Sequence, residues 1–352
     1  MTIEEESGYA TKNHQLKADV SDREEEVLEE SLRPINFSHY VGQQQHISNL
    51  KIMAQAAKAR GEAIDHCLFL GPPGLGKTTL ANILAKEMGK RLFVTSGPAL
   101  EKKGDLAGIL TNLKKGDVLF IDEIHRLNSV VEENIYPAME EFRFDVVLGE
   151  GPHARIMPLK LEPFTLVGAT TKTGLLTSPL RDRFGFSARL DYYSSQELAQ
   201  IIKRSATILK VKVSDEASLE IAKRSRGTPR IANRLLKRMR DFAEVIGDGH
   251  ITQEITHRAL LSLGVDRCGL DPLDLKILQL LCTLNNGAPI GLDTIAASLS
   301  ESASTIEDVY EPYLLQQGYI IRTQRGRQAT RKCYEHIGLT PPSNEQHGLF
   351  EA

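Results

Sequence analysis

His66-Cys67-Leu68-Phe69-Leu70 runs directly into Gly71-Pro72-Pro73-Gly74-Leu75-Gly76-Lys77-Thr78. Leu80, Ile83, Leu84 and Met88 then recur at helical spacing. An apolar run, a glycine-rich turn and an amphipathic period predict strand, tight loop and helix in succession. The loop fits GxxxxGK[ST] in the one context that gives this pattern meaning. Glycines such as Gly74 and Gly76 let backbone N–H groups converge on phosphate oxygens. The helix start adds partial positive charge at the same point. Lys77 is then set to meet the β- and γ-phosphates, and the Thr78 hydroxyl suits a Mg²⁺ shell, which prefers hard oxygen donors. ATP and Mg²⁺ are the expected ligands.

Further along, Arg91-Leu92-Phe93-Val94-Thr95, Asp117-Val118-Leu119-Phe120-Ile121 and Phe164-Thr165-Leu166-Val167-Gly168-Ala169 read as three more strands. Near-continuous apolar strands separated by helical periods predict a parallel sheet covered on both faces, an α/β class. The third of the four strands ends in Asp122-Glu123, 45 residues beyond Lys77. Two carboxylates at a strand's C-terminal edge lie beside the phosphate loop. Asp122 is expected to hold the Mg²⁺ and Glu123 to orient and polarise an attacking water. Phosphoryl transfer asks mainly for positioning and charge neutralisation, so this set suffices for hydrolysis. After the fourth strand, Thr171 offers a hydroxyl to the γ-phosphate or the water, although threonine is common at strand ends. Arg181 and Arg183 flank Asp182 after Pro179. They read as a surface salt-bridge cluster or as an arginine finger for a neighbouring subunit's ATP, a role that suits a planar, permanently charged group.

Helical periods dominate residues 196–263, with Ile231, Leu235, Leu236, Met239 and Phe242 on one stripe. Residues 223–240 hold eight bases and no acid, and Arg230, at the helix start, is the one expected at the nucleotide. Beyond Gly264 come helical segments at 273–284, 292–299 and 305–316. A hairpin follows, whose stretch 318–332 carries five bases (Arg322, Arg325, Arg327, Arg331, Lys332) and no acid. That order predicts a winged-helix module whose basic wing suits phosphate contacts with little sequence preference.

The whole chain bounds these readings. It has 352 residues, 41% hydrophobic and 25% charged, with a formal net charge of -3. This composition fits a globular protein of two or three domains and gives no global nucleic-acid signature. No apolar run approaches membrane-span length. Residues 1–30 hold ten acids against three bases and read as a solvated arm without a secretory core. Cys67, Cys268, Cys282 and Cys333 form no CxxC pair, which argues against zinc or a disulfide frame and for a reducing cytoplasm.

Together the motifs resemble the AAA+ ATPases, and within them the RuvB family of bacterial Holliday junction branch-migration motors. The resemblance is carried by residues 71–81, 120–127, 168–171, 178–185, 227–234 and 305–312, and by Gly326-Arg327. It extends from about Leu32 to Pro342. It implies an AAA+ P-loop domain (32–193), a small helical lid (194–264) and a winged-helix head (265–342), between an acidic arm (1–31) and a tail (343–352). It assigns Lys77, Thr78 and Thr79 to the phosphates, Asp122 and Glu123 to the Walker B pair and Thr171 to sensor 1. Arg183 matches the arginine finger and Arg230 sensor 2. Leu32, Arg33 and Tyr193 match nucleotide contacts, as do Glu140, Glu141 and Phe142. Arg322 and Arg327 match DNA contacts. The segment 142–161, with Gly149-Glu150-Gly151-Pro152 at its turn, matches a β-hairpin that docks onto a RuvA-type partner; by spacing alone it is equally an ordinary exposed hairpin. The resemblance further implies a homohexameric ring on duplex DNA, Holliday junctions as substrate and a RuvC-type resolvase as associate. Some relatives carry an arginine just before residues 305–309, where this chain has Ala303, so one DNA contact is absent or replaced. The rivals are a clamp-loader-type ATPase, which the basic wing disfavours, and a DNA-binding switch that barely turns over, which Glu123 disfavours.

Overall fold

The computed structural model describes residues 29–148 and 155–342. Nearly all of the expected acidic arm, the turn at 149–152 and the tail at 343–352 lie outside the described residues. Five parallel strands form the central sheet: β1 (Cys67–Leu70), β2 (Leu92–Ser96), β3 (Val118–Asp122), β6 (Thr165–Thr170) and β7 (Phe186–Arg189), in the order β2-β3-β6-β1-β7. An antiparallel hairpin of β4 (Arg143–Leu148) and β5 (Arg155–Lys160) is inserted before β6. The apolar runs of the sequence correspond to β1, β2, β3 and β6. β7 was not among the expected strands; only Ala188 of its four residues is buried, so Phe-Ser-Ala-Arg lacks an apolar run.

Alternation along the strands divides the sheet's side chains between two cores. Cys67 and Phe69, Val118 and Phe120, and Val167 and Ala169 meet Leu80, Ile83 and Leu84 of α2 (Lys77–Met88), beside α1 (Gln44–Arg60). Leu68, Leu119, Ile121 and Leu166 turn to the other face. There they meet Leu106 and Leu110 of α3 (Lys103–Leu110) and Val131 and Ile135 of α4 (Ser129–Glu140). Each fully buried side chain of this size contributes ~1.5–3 kcal/mol relative to exposure. The first core continues through Leu75, Leu190 and Tyr193 into a helical unit. After the one-turn α5 (Ser178–Arg181), that unit comprises α6 (Ser195–Ile208), α7 (Asp215–Lys223), α8 (Pro229–Ile246) and α9 (Gln253–Ser262). Three of its helices start at side-chain caps: Ser194, Ser214 and Thr252 each accept a backbone N–H of the first turn. The short pair β8 (Lys212–Val213) and β9 (His250–Ile251) ties it together.

A separate core, including Ile277, Leu281, Ile295, Leu314 and Ile320, holds the C-terminal unit. It contains α10 (Pro272–Thr283), α11 (Leu292–Leu299), the hairpin β10 (Ile320–Thr323) and β11 (Gly326–Ala329), and α12 (Arg331–Ile337). The expected helix at 305–316 is not continuous. Residues Ile306–Tyr310 form a π-helical turn between short α-helical pieces. Pro312 supplies the reason: it has no N–H to donate and its ring would strike the carbonyl four residues back. Among the described residues no helix is long and apolar enough to cross a membrane.

Candidate active site

β1 delivers the chain to Gly71, and α2 begins at Lys77 behind Gly76, which is left-handed. A cavity of about 400 Å³ lies between this loop, the C-terminal edge of the sheet, the segment before α1 and the lid helices. Its walls include Leu32, Arg33, Gly74, Gly76, Lys77, Thr78, Thr79, Asp122, Glu123, Thr171, Tyr193 and Arg230. Motifs spread over nearly two hundred residues of sequence thus converge on one cleft. The lid touches the loop at Gly74, where φ is +81° and a Cβ would lie 3.2 Å from Arg230 Cβ. Arg230 N–H also donates to the Gly74 carbonyl at 3.4 Å.

The Lys77 ammonium donates to the carbonyls of Gly71 (2.7 Å) and Pro72 (2.8 Å). Burial pulls its pKa down to about 8; Asp122 opposes that shift and Arg230 adds to it. Asp122 closes β3 and accepts the Glu123 N–H at 2.9 Å. Glu123 itself takes a left-handed φ of 47°, which costs ~1–2 kcal/mol for a residue with a Cβ. Such strain concentrates at functional sites. Gly97 makes room for the bend, since a Cβ there would meet the Glu123 carbonyl at 2.5 Å. The Glu123 carboxylate pairs with Arg126 at 2.9 Å.

The oxygen donors expected for Mg²⁺, Thr78 and Asp122, line the same cavity. Among the described residues no cluster of three His, Cys, Asp or Glu side chains could hold a metal by itself. One carboxylate and one hydroxyl fit Mg²⁺, which commonly completes its shell with phosphate and water.

The cavity also contains residues that carry no signal in the sequence. Tyr193 donates its hydroxyl to Tyr40 Oη (3.0 Å), and both hydroxyls approach the Leu75 carbonyl, at 3.2 and 3.4 Å. Burial pushes the Tyr40 phenol up to about 12 and that of Tyr193 up as well. Arg204 of α6 donates to the carbonyls of His39 (2.8 Å) and Leu32 (2.6 Å), clamping the Leu32–Arg33 segment to the lid. A lone aromatic and a lone arginine in unremarkable stretches carry no spacing signal. Their role is visible only once the chain is folded.

Four expected nucleotide contacts lie outside this cavity: Arg183, Glu140, Glu141 and Phe142. They gather at the C-terminal end of α4. Arg183 pairs with Glu140 at 3.2 Å, donates to the Pro179 carbonyl at 2.6 Å and lies over the Tyr136 ring at 4.3 Å. Glu141 pairs with Arg143 at 2.6 Å. Phe142, with a positive φ of 50°, packs edge-on to Phe164.

In the C-terminal unit Arg322 and Arg327 are cross-strand partners in the β10–β11 hairpin. They are not surrounded by bases alone. The buried Glu311 accepts from Arg322 Nε at 2.7 Å and from Arg327 Nε and Nη2, both at 3.0 Å. In the basic run at 223–240, Lys223, Arg230, Arg234 and Arg238 are exposed, and one base turns inward. Arg226 is buried, pairs with Asp271 (2.8 Å) and Asp274, and joins lid to head.

Comparison with known proteins agrees with this architecture. Three family descriptions match in succession: "Holliday junction DNA helicase RuvB P-loop domain" over residues 32–190, "RuvB AAA lid domain" over 193–266, and "RuvB C-terminal winged helix domain" over 267–338. The Holliday junction branch migration complex subunit RuvB of Myxococcus xanthus is 57% identical over 341 residues, covering 97% of this chain and 99% of that protein. Its counterpart from Flavobacterium psychrophilum is 57% identical over 327 residues, covering 93% and 96%. Among solved structures, the Thermotoga maritima RuvB Holliday junction branch migration motor superposes with a TM-score of 0.81 at 49% identity, covering 89% of this chain and 100% of that one.

Proposed function

The chain belongs to the RuvB family, and from that premise we propose that it is an ATP-driven motor moving Holliday junctions in the cytoplasm. It works as a homohexameric ring on duplex DNA, with a RuvA-type junction-binding protein and a RuvC-type resolvase. The observation that carries this reading is the convergence of Lys77, Asp122, Glu123, Thr171 and Arg230 on one cleft between sheet and lid. The working units are the ATPase domain (32–193), the lid (194–264) and the winged-helix head (265–342).

Lys77 exchanges its two loop carbonyls for phosphate oxygens when ATP enters. Thr78 and Asp122 would hold Mg²⁺, which supplies charge neutralisation on the phosphates when bound. Glu123 turns from Arg126 to polarise the attacking water, and Thr171 steadies it. Arg183, with Glu140, Glu141 and Phe142 beside it, serves the cleft of the adjacent protomer. Their absence from the walls of their own cleft supports that assignment. Arg230, packed on Gly74, reports the state of the phosphates to α8 and so to the lid angle. Hydrolysis changes that angle, and the head draws DNA along through backbone contacts from Arg322 and Arg327. The β4–β5 hairpin, with Ile156 and Met157 exposed, offers an apolar surface to the RuvA-type partner.

The test is branch migration of a synthetic four-way junction, with and without the RuvA-type partner. Wild-type chain with ATP resolves the junction into its duplex products, and Lys77→Ala does not. Failure of the wild-type chain to move the junction even with the partner would overturn the reading.

A further inference from the structure

Lys172 stands one residue past Thr171 and is not part of the cavity wall. Its backbone N–H donates to Thr170 Oγ1 at 3.0 Å, and that hydroxyl pairs with His125 Nδ1 at 2.9 Å. His125 lies two residues beyond Glu123. The side chain of Lys172 leads away from this group to the C-terminal unit: Nζ is 2.6 Å from Glu307 Oε2 and 3.0 Å from Asp308 Oδ1. The other oxygen of Glu307 lies 3.8 Å from Nη2 of both Arg322 and Arg327. Glu307 and Asp308 occupy the π-helical turn Ile306–Tyr310, a form found mostly as single turns within helices and often at functional sites. Backbone links and polar contacts together therefore connect the end of the Asp122–Glu123 strand with the wing arginines.

We propose that Lys172 is a positioning residue that couples the nucleotide site to the wing, by holding the Glu307–Asp308 pair so that movement at Thr171 re-aims Arg322 and Arg327. The inference rests on the motor reading above. Lys172 is bonded to Thr171 and moves with the end of β6. Its two carboxylate partners belong to the head, so the head follows. The same contact sets the charge on the wing. Lys172 holds Glu307 at 2.6 Å while the arginines stand off at 3.8 Å. If the head separates from Lys172, Glu307 is released to close on both guanidinium groups and compete with DNA phosphate. An engaged head therefore presents the more positive wing. By linkage, DNA on the wing favours engagement by the same factor that engagement favours DNA.

The experiment uses the full chain with dyes at two exposed positions, 52 on α1 and 331 on α12, and reads energy transfer in ADP and in a slowly hydrolysed ATP analogue. The wild-type chain should give different transfer in the two nucleotides. Lys172→Ala should abolish that difference, and Lys172→Arg should restore it. Basal ATPase of Lys172→Ala should stay close to the wild-type rate, because the Lys172 side chain lies outside the cavity wall. Its stimulation by duplex DNA should fall about fivefold or more. A Lys172→Ala chain that keeps the nucleotide-dependent transfer, or a wild-type chain that shows none, overturns the proposal. Absence of ATP turnover in the wild-type chain instead strikes the motor reading, so the two failures are distinguishable.

Discussion

In the cleft, Lys77 is buried with two neutral carbonyls as its hydrogen-bond partners, and burial holds its ammonium to a pKa of about 8. In the wing, Arg327 is part-buried and meets a carboxylate, Glu311, through two hydrogen bonds, and Arg322 shares that same carboxylate. Both regions are assigned to phosphate, yet they prepare their cations differently. A buried ammonium among dipoles gains strongly from an incoming anion, because the surrounding dielectric is low. A guanidinium already satisfied by a carboxylate in a charge-assisted fork gains much less. The cleft is built to grip and the wing to touch and release, which is what a motor needs from its fuel site and its track.

The contrast breaks most severely at Lys77. Lys77→Ala should lower ATP turnover by at least about 100-fold, the scale for removing one preorganised charge-stabilising group. A phosphate-release assay that finds turnover near wild type would mean that the loop carbonyls, not phosphate, are the lysine's working partners. Arg327 and Arg322 sharpen the comparison within the wing. Arg327, 16% exposed against 54% for Arg322, should add a structural role to its phosphate contact. Arg327→Ala should destabilise the head by about 3 kcal/mol, because Glu311 loses its fork in a buried place; chemical denaturation reads this. Arg322→Ala should cost less stability, because Arg327 still donates to both oxygens of Glu311. It should flatten the dependence of log K for duplex DNA on log salt by about 0.9, the yield of one phosphate contact. Equal behaviour of the two variants would show that exposure does not separate their roles.

A smaller effect tests the joint between lid and head. Arg226 is a cation enclosed by acids, Asp271 and Asp274, as in the wing. Asp274 Oδ1 has no hydrogen-bond partner, and burial raises this carboxyl from 3.8 to about 7. The folded form therefore binds the proton more tightly than the unfolded form does. The stability this adds is complete below pH 4 and is lost as pH rises through 7. Asp274→Asn should remove that part of the slope, so the fall in melting temperature between pH 5 and 8 should be shallower than in the wild-type chain. An unchanged slope would show that Asp274 keeps its charge throughout.

These contrasts also mark how far the sequence is legible. The phosphate loop and the Asp122–Glu123 strand end can be read directly because both are local: apolar run, turn glycines and helix period lie within a few residues of one another. β7 escapes because an edge strand with one buried side chain has no apolar run. Tyr40 and Arg204 escape because they reach the site only through tertiary packing. The basic wing is visible in the stretch 318–332, but the acids that temper it, Glu307 and Glu311, come from the broken helical segment before it and reach the strands only by packing. The break at Ile306–Tyr310 follows from Pro312, whose effect falls four residues upstream of itself.

The central claim is that one protomer's cleft is completed by the Arg183 group of the next, and mixing inactive chains tests it most directly. Lys77→Ala and Arg183→Ala should each fail to hydrolyse ATP alone. Combined in equal amounts with duplex DNA, they should regain part of the wild-type rate, because a cleft with intact Lys77 can meet a neighbour with intact Arg183. A mixture as inactive as its components, or an Arg183→Ala chain that hydrolyses ATP at the wild-type rate alone, would contradict the claim.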